Sequence, residues 1–213
     1  VPIGNGRWLA DNIDGARFVE LPGEHVVFDA DRFADEVEPF LTGGRAVATP
    51  DRVLSTVMFS DIVGSTEQAA TVGDRQWREL LDQHDMIVRR EVENFGGRLV
   101  KSTGDGVLAT FDGPGRGVAC GRRLHQALEP VGIDVRVGLH TGEIEIRGDD
   151  IGGIAVHIAA RVSGIADVGE VLVSRTVTDL VAGSGLEFDD RGEHDLKGVP
   201  GAWQLYSVER DRG

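Results

Sequence analysis

The sequence predicts an α+β fold, in which helices cover a sheet of short strands. Short apolar runs of strand length alternate with longer segments of helical periodicity. The segment RLVKSTGDGVLATF (98–111) has two apolar runs around a tight Gly-Asp-Gly turn, which is typical of a hairpin. Since 40% of the 213 residues are hydrophobic, the chain can also bury a substantial core.

The predicted elements run in the order strand, helix, strand, strand, helix, strand, which is the ferredoxin-like βαββαβ unit. They are a strand at 53–60, a helix from about 75 to 95, the hairpin at 98–111, a helix at roughly 115–128 and a pair of strands at 133–148 that turns near Thr141-Gly142. Further predictions are a helix at 154–164, a strand at 170–174, a helix at 175–182 and strands near 186–195 and 203–208.

The first 42 residues form a separate, smaller segment. ARFVELPG (16–23) predicts a short strand, and DADRFADEVEPFL (29–41) predicts an Asp-capped amphipathic helix. Residues 43–52 carry Gly and Pro without periodicity, so we interpret them as a linker. The prediction is therefore a small strand–helix appendage, a main domain at 53–208 and a C-terminal tail at 209–213.

Composition excludes several classes of partner. The net charge is −14, from 36 acidic and 22 basic residues, which argues against nucleic acid as a ligand. A small phosphate compound stays compatible, because carboxylates can bring a divalent metal to it. No apolar stretch approaches the roughly 20 residues that cross a bilayer, and the first residues do not resemble a signal peptide. With Cys120 as the single cysteine, we expect a cytoplasmic protein.

Two aspartates are predicted to meet at one rim of the sheet. Asp61 follows the first strand, and Asp105 lies at the tip of the hairpin. A right-handed crossover leaves a slot beside the first strand that the returning hairpin strand fills, so both positions reach the same rim. Two carboxylates beside the small-residue turn Gly64-Ser65-Thr66 suit a divalent cation with phosphate oxygens. The alternative is that Asp61 caps a helix and Asp105 is an ordinary hairpin residue.

Five motifs carry a resemblance to a known family. FSDIVGST, VKSTGDGVLATF, VRVGLHTGEI, DIGGIAVHIAARV and HDLKGV occur in this order. Over residues 53–208 the chain resembles the catalytic domain of class III nucleotidyl cyclases, and most of all the adenylyl cyclases of mycobacterial type. Any one motif alone would be weak, whereas five in order are specific.

The resemblance implies conversion of ATP to 3′,5′-cyclic AMP and pyrophosphate, with two divalent cations, Mg²⁺ or Mn²⁺. Asp61 and Asp105 match the metal-binding aspartates. One ion would lower the pKa of the ribose 3′-hydroxyl for attack on the α-phosphorus, and the other would hold the triphosphate. The residues whose backbone would contact the phosphates are Ile62, Val63, Gly64, Ser65 and Thr66.

The resemblance also implies how the base is read. Lys101 and Asp150 match the residues that recognise adenine. Adenine presents an acceptor beside a donor, which a donor lysine and an acceptor aspartate complement, whereas guanine reverses that edge. Without the motif, Lys101 would be a solvated strand residue and Asp150 a helix cap.

Four further residues match family positions on the phosphates and the ribose. Arg161 matches the arginine that stabilises the transition state, and Arg136 and Lys197 match residues that hold the triphosphate; alone, each would be a surface cation. At His157 the wider family has an asparagine that orients the ribose. An imidazole can also donate there, although it can be charged near neutral pH, and a core or interface histidine is the alternative. His140 in LHTG fits the strand pattern and is interpreted as structural.

A head-to-tail homodimer follows from the resemblance, with two active sites at its interface. One chain would supply Asp61, Asp105 and Arg136, and its partner would supply Lys101, Asp150, His157, Arg161 and Lys197. Two other functions stay open. The first is a cyclase-like regulatory module that binds nucleotide without turnover, and the second is a guanylyl cyclase, which Lys101 and Asp150 disfavour.

The first forty residues carry a second, shorter resemblance. The segment ARFVELPGEHVVFDADRFADEVEPFL is similar to the last strand, histidine loop and final helix of an α/β-hydrolase, with His25 at the place of the triad histidine. No G-x-S-x-G nucleophile motif occurs in the 213 residues, so this chain cannot itself carry esterase activity. We interpret the segment as the remnant or end of an upstream hydrolase-like domain, or as a small docking element; His25 is equally well a plain loop residue.

Overall fold

The computed structural model describes residues 3–16, 18, 37, 51–102 and 104–209. The chain divides into two compact units, Val1–Thr49 and Pro50–Gly213. In the first unit the described element is helix α1 (Ile3–Asn12), which the sequence did not predict. The strand predicted at 16–23, the helix predicted at 29–41 and His25 lie outside the described residues, apart from residues 16, 18 and 37.

The second unit contains the predicted alternation of strands and helices. Its elements begin with β1 (Arg52–Ile62), α2 (Ser65–Val72), α3 (Asp74–Asn94), β2 (Arg98–Ser102), β3 (Gly106–Phe111) and α4 (Pro114–Leu128). They continue with β4 (Val135–Arg147), β5 (Asp150–Gly152), α5 (Ile154–Ile165), β6 (Val171–Ser174), α6 (Arg175–Leu180), β7 (Phe188–Asp195) and β8 (Ala202–Val208). Among the described residues, no helix is long and apolar enough to cross a membrane.

The strands form one eight-stranded sheet in the order β2-β3-β1-β4-β6-β8-β7, with β5 paired to β4. The first four are antiparallel neighbours, and β3 lies between β1 and β2. This is the predicted βαββαβ arrangement, in which the hairpin strand fills the slot beside the first strand. Beyond β4 the sheet continues through β6, the only parallel pairing among the described strands, and then through β8 and β7.

The prediction of two strands at 133–148 is wrong, because β4 is continuous through Thr141 and Gly142. These residues pair with Thr56 and Ser55 of β1, and the Thr56 and Thr141 hydroxyls share a 2.8 Å hydrogen bond. A Cβ on Gly142 would lie 2.9 Å from the Cβ of Ala155, so this glycine serves helix packing rather than a turn. The chain turns instead at 148–149 and returns as the short strand β5.

The start of the main domain also differs from the prediction. Strand β1 runs two residues beyond residue 60, so Asp61 lies within the strand rather than after it. The expected turn at Gly64-Ser65-Thr66 is the beginning of helix α2. Gly64 precedes this helix with φ 67°, a left-handed conformation that glycine adopts without a Cβ clash.

Two apolar layers hold the sheet. One face packs against α3 and α4, with Val88, Leu124 and Leu139 fully buried. The opposite face packs against α5, where Val57 and Ala159 are fully buried. Alternating side chains of β1 therefore face the two layers in turn, as a strand that is covered on both faces requires.

Helix α5 lies directly on β4 at Gly138. A Cβ at this position would lie 2.1 Å from the backbone nitrogen of Ser163, a distance that no side chain can occupy. Glycine is therefore required for the close approach of strand and helix. This contact fixes the distance between α5 and the sheet, and therefore the positions of His157 and Arg161 on that helix.

Candidate functional site

Asp61 and Asp105 lie at the same rim of the sheet, where the topology predicted them to meet. Asp61 pairs with Gly106, the residue that follows Asp105. The next amide, Ile62 N–H, donates to the carbonyl oxygen of Asp105 at 3.0 Å. Asp61 and Asp105, 44 positions apart in sequence, are thus neighbours at the rim. Because Asp61 lies in a strand, it does not cap a helix.

Both rim carboxylates have partners within the chain. Arg136 lies opposite Asp61 on β4, and its Nε and Nη2 donate to Asp61 Oδ2 at 3.0 and 2.5 Å. Ser65 Oγ donates to Asp105 Oδ2 at 2.6 Å. The Asp61 and Arg136 side chains are each about one-third exposed, so the pair is open to solvent and to ligands.

This donor set fits a divalent cation that is shared with a phosphate ligand. The positive guanidinium of Arg136 already neutralises the Asp61 carboxylate. A bound metal ion would neutralise the same carboxylate. Among the described residues, no third acidic, histidine or cysteine side chain completes a protein cage. Mg²⁺ characteristically uses one or two carboxylates and takes its remaining ligands from water and substrate phosphates.

The amides at the start of α2 offer a smaller phosphate cradle than the sequence predicted. Ile62 N–H is used by Asp105, and Val63 N–H donates to the carbonyl of Asp134 at 2.9 Å. The first N–H groups of a helix have no acceptor within it, which leaves the backbone from Gly64 to Thr66 as the anion-binding part of the predicted set.

Lys101 and Asp150 form a direct ion pair at the edge of the sheet. Lys101 Nζ lies 2.9 and 2.8 Å from the two carboxylate oxygens of Asp150, and Ile151 N–H donates to Oδ1 at 2.8 Å. The ammonium and then the backbone amide lower the pKa of the Asp150 carboxyl. Asp150 belongs to β5, and Gly153 is the N-cap of α5, so the helix-cap alternative is wrong.

His157 and Arg161 lie one turn apart on the exposed side of α5. Arg161 Nε donates to the backbone carbonyl of Lys197 at 3.2 Å, and the Lys197 side chain is exposed. The exposure of His157 excludes the core-histidine alternative. Ile154 is also 53% exposed, so an apolar side chain accompanies these groups on the open surface of the helix.

Within the described part of the chain, the contacts of the predicted side chains form three separate groups. The rim aspartates contact Arg136 and Ser65, Lys101 contacts Asp150, and Arg161 contacts the loop at Lys197. A cavity of about 360 Å³ beneath α4 contains none of them. It is lined by Arg122, His125, Gln126, Glu129, Ile133, Asp134, Val135, Gly169, Val171 and Val208.

His140 is buried beneath α5, in agreement with its structural interpretation. Its Nδ1 lies 2.7 Å from Ser174 Oγ, and its ring meets Trp203 edge to face with a centroid distance of 5.6 Å. Desolvation by burial lowers the pKa of His140 to about 4. The imidazole is therefore neutral near pH 7.

Sequence reasoning missed the hydrogen bonds behind the hairpin. Ser102, next to Lys101, donates to the carboxylate of Asp85 on α3, and Asp85 also contacts the fully buried His84. The sequence treated His84 as one member of an apolar helix face. The signal in the sequence was a polar residue, His84, at a helix position that the periodicity assigns to the core.

Comparison with known proteins identifies the family. Residues 49–210 match the model of the adenylate and guanylate cyclase catalytic domain. The chain therefore belongs to the family of class III nucleotidyl cyclase catalytic domains.

Solved cyclase structures share the fold. The adenylyl cyclase CyaB from Pseudomonas aeruginosa is 23% identical, with a TM-score of 0.70 over 76% of this chain and 96% of that one. The guanylyl cyclase Cya2 is 22% identical, with a TM-score of 0.69 over 76% of this chain and 94% of that one. Since adenylyl and guanylyl cyclases are equally similar, the fold does not distinguish the two bases.

Relatives in sequence are longer proteins. The serine/threonine-protein kinase pkn2 of Myxococcus xanthus is 30% identical over 178 residues, which are 80% of this chain and 21% of that protein. A protein of Rhizobium meliloti with a provisional adenylate cyclase name is 30% identical over 164 residues, which are 70% of this chain and 27% of that protein. The chain thus spans between about a fifth and little more than a quarter of their length.

Proposed function

We propose that this class III domain is an adenylyl cyclase, which converts ATP to 3′,5′-cyclic AMP and pyrophosphate in the cytoplasm. The observation that carries the proposal is the Lys101–Asp150 ion pair at the sheet edge. An ammonium donor and a carboxylate acceptor lie side by side there, and both are exposed to a ligand.

Adenine fits this pair because its N1 accepts a hydrogen bond and its 6-amino group donates one. Lys101 has three N–H donors and the Asp150 carboxylate has about four acceptor positions, so each can bind the base while keeping its partner. Guanine presents a donor at N1 and an acceptor at O6. Its N–H would therefore face the Lys101 ammonium, and its oxygen would face the Asp150 carboxylate.

At the rim, Asp61 and Asp105 would hold two Mg²⁺ or Mn²⁺ ions together with the phosphates. Bound there, the metal would acidify the ribose 3′-hydroxyl and offset negative charge on the triphosphate. The amides from Gly64 to Thr66 bind phosphate oxygens, as a helix start does. Arg136 lies against Asp61 and would contact the triphosphate once a metal ion takes its place beside that carboxylate.

The residues on α5 would act on the reacting groups. Arg161 donates to the oxygens of the α-phosphate, where negative charge grows during attack, and a planar guanidinium suits that charge. His157 donates a hydrogen bond that orients the ribose, and Lys197 holds the triphosphate. Each of the three side chains is exposed and therefore accessible to a nucleotide.

We further propose that the active site is completed by a second copy of the chain in a head-to-tail homodimer. Lys101 and Asp61 are two strands apart, or about 10 Å across the sheet. Within one chain, the base-reading pair and the α5 residues are exposed and do not contact the rim. A partner would bring its own Lys101, Asp150, His157, Arg161 and Lys197 to the rim of the first chain.

The test is conversion of ATP, and separately GTP, by the purified chain with Mn²⁺ or Mg²⁺, with cyclic nucleotide and pyrophosphate measured together. Asp61→Asn and Asp105→Asn should each lose turnover while the fold persists, because these rim side chains are partly exposed. Asp112→Asn, at an exposed aspartate after β3, is the matched control. Lys101→Glu should reduce use of ATP first.

Three outcomes would contradict parts of the proposal. Cyclic GMP as the main product would make the chain a guanylyl cyclase. Absence of product from a dimeric sample that binds ATP would favour the regulatory module. Full activity at dilutions where ultracentrifugation finds only monomer would refute the shared site.

A further inference from the structure

Helix α3 meets the hairpin at Ser102, the last residue of β2. Ser102 Oγ donates to the carboxylate of Asp85, 3.2 Å from each oxygen. The same carboxylate lies 3.1 Å from Nδ1 of His84. A chain of three polar side chains therefore connects a buried position on α3 to the hairpin that carries Asp105.

His84 is an unusual residue for its position. It is fully buried, and its Nε2 has no hydrogen-bond partner within the described part of the chain. Its helix neighbour Val88 is likewise fully buried, within an apolar cluster. A leucine would avoid burying an unsatisfied nitrogen, so packing alone does not account for the imidazole. The polar contact that it makes is the one to Asp85.

The hairpin contributes to both active sites of the proposed homodimer, through Lys101 to one and through Asp105 to the other. Side chains alternate along a strand, so Ser102 faces α3 while Lys101 faces the α5 side, where it contacts Asp150. Gly104, with φ 96°, and Asp105 follow at the tip. Glycine restricts the backbone less than any other residue, so the position of Asp105 depends on the contacts that anchor the hairpin.

The anchors come from two directions. On the β1 side, Ile62 N–H binds the Asp105 carbonyl and Ser65 binds its carboxylate. On the α3 side, the side-chain anchor is the bond from Ser102 to Asp85. Without it the end of β2 keeps its backbone pairing with β3 but loses its hold on α3, so Lys101 and Asp105 would shift relative to the rest of the sheet.

We infer that His84 and Asp85 are positioning residues for the nucleotide and metal site. Asp85 holds Ser102, and His84 fixes the side-chain conformation of Asp85. In the proposed homodimer they thereby position Lys101 for the base in one active site and Asp105 for the metal in the other. This inference rests on the proposed function for the roles of Lys101 and Asp105. A displacement of about 1 Å in such a site can cost a hundredfold in rate, so the contact matters even at a distance.

The experiment compares Asp85→Ala and Ser102→Ala with two controls. Ser102→Thr keeps the hydroxyl, and Asp82→Ala removes an exposed aspartate one turn earlier on α3. For each protein we would measure the affinity for Mn²⁺ by calorimetry without nucleotide, the ratio of ATP to GTP binding, kcat and KM separately, and the melting temperature.

Asp85→Ala and Ser102→Ala should weaken Mn²⁺ binding and reduce the preference for ATP, each by about tenfold. The double variant should lose little more than either single variant, because both remove the same contact. Ser102→Thr and Asp82→Ala should retain wild-type values.

Wild-type Mn²⁺ affinity and base preference in both alanine variants would overturn the inference. So would losses that merely follow the melting temperature and that Ser102→Thr shares, since these indicate a structural role. A wild-type protein that makes no cyclic nucleotide, but whose Mn²⁺ affinity still falls in both variants, would refute the proposed cyclase activity and leave the positioning role supported.

Discussion

The buried His140 should make the main domain sensitive to acid. Its side chain is 5% exposed, bound to Ser174 and in contact with Trp203, and desolvation lowers its pKa from 6.5 to about 4. Between these two values the unfolded chain binds a proton that the folded chain does not. Stability from this group is therefore fully present above pH 6.5 and declines as the pH falls toward 4.

The size of the effect follows from the pKa difference. One pKa unit corresponds to about 1.4 kcal/mol, so lowering the pKa to about 4 costs the folded state about 3 kcal/mol once the group is protonated in both states. At pH 4.5 most of this, roughly 2–3 kcal/mol, should already be lost. That is a large part of the 5–15 kcal/mol that typically stabilises a domain.

The assay is urea unfolding of wild type and His140→Asn at fixed protein concentration, at pH 7.5, 6.5, 5.5 and 4.5. The asparagine amide reaches the position of Nδ1, so it can still pair with Ser174, but it does not titrate. Burial also lowers the pKa of His84, which is present in both proteins and therefore cancels in the comparison.

Wild type should lose about 2–3 kcal/mol more than His140→Asn between pH 7.5 and 4.5. Parallel curves for the two proteins would refute the assignment of acid sensitivity to His140. A wild type whose stability increases toward pH 4.5 would refute the direction of the pKa shift.

Three further predictions concern charge, packing and reactivity. Arg136→Met should bind Mn²⁺ without nucleotide about three- to tenfold more tightly, because the cation beside the site is gone, yet turn over more slowly; equal affinity by calorimetry would contradict this. Gly138→Ala on β4 should destabilise the fold by at least about 2 kcal/mol, because its Cβ would meet the backbone of Ser163 on α5. Gly164→Ala, next to Ser163 on α5, would place its Cβ in open space and should not lower the melting temperature. Cys120 is fully buried and its pKa is raised to about 12, so iodoacetamide at pH 8 should label it only after unfolding, as mass spectrometry can show; rapid labelling of the native protein would contradict the burial.

The meeting of Asp61 with Asp105 could be predicted from sequence because topology determines it. Once a helix returns the chain to a strand parallel with the first, the hairpin strand has one place to go, and its tip reaches the rim of the first strand. The structure confirms this order of strands. No knowledge of side-chain packing was needed.

The continuity of β4 could not be predicted in the same way. Thr141-Gly142 has the composition of a turn, and local sequence does not report that Thr141 pairs with Thr56 of a strand 85 positions earlier. The cover of α5 over Gly142 is equally non-local. Tertiary packing thus overrides the turn preference of the dipeptide.

The partners of the charged residues were also beyond the sequence. Arg136 was predicted to hold phosphates, and the structure shows it against Asp61, because the register of β1 and β4 places the two residues opposite each other. The Ser102–Asp85 contact likewise requires the distance between a helix face and a strand end. Neither contact produces a periodic pattern in the sequence.

The contact between Gly138 and Ser163 has a mechanical consequence. With no side chain between strand and helix, β4 and α5 interlock backbone to backbone, so α5 cannot slide along the sheet without unfolding the contact. Arg136 on the strand and Arg161 on the helix then belong to one stiff body. In the proposed dimer, a movement of the interface that shifts Arg161 would therefore carry Arg136 with it.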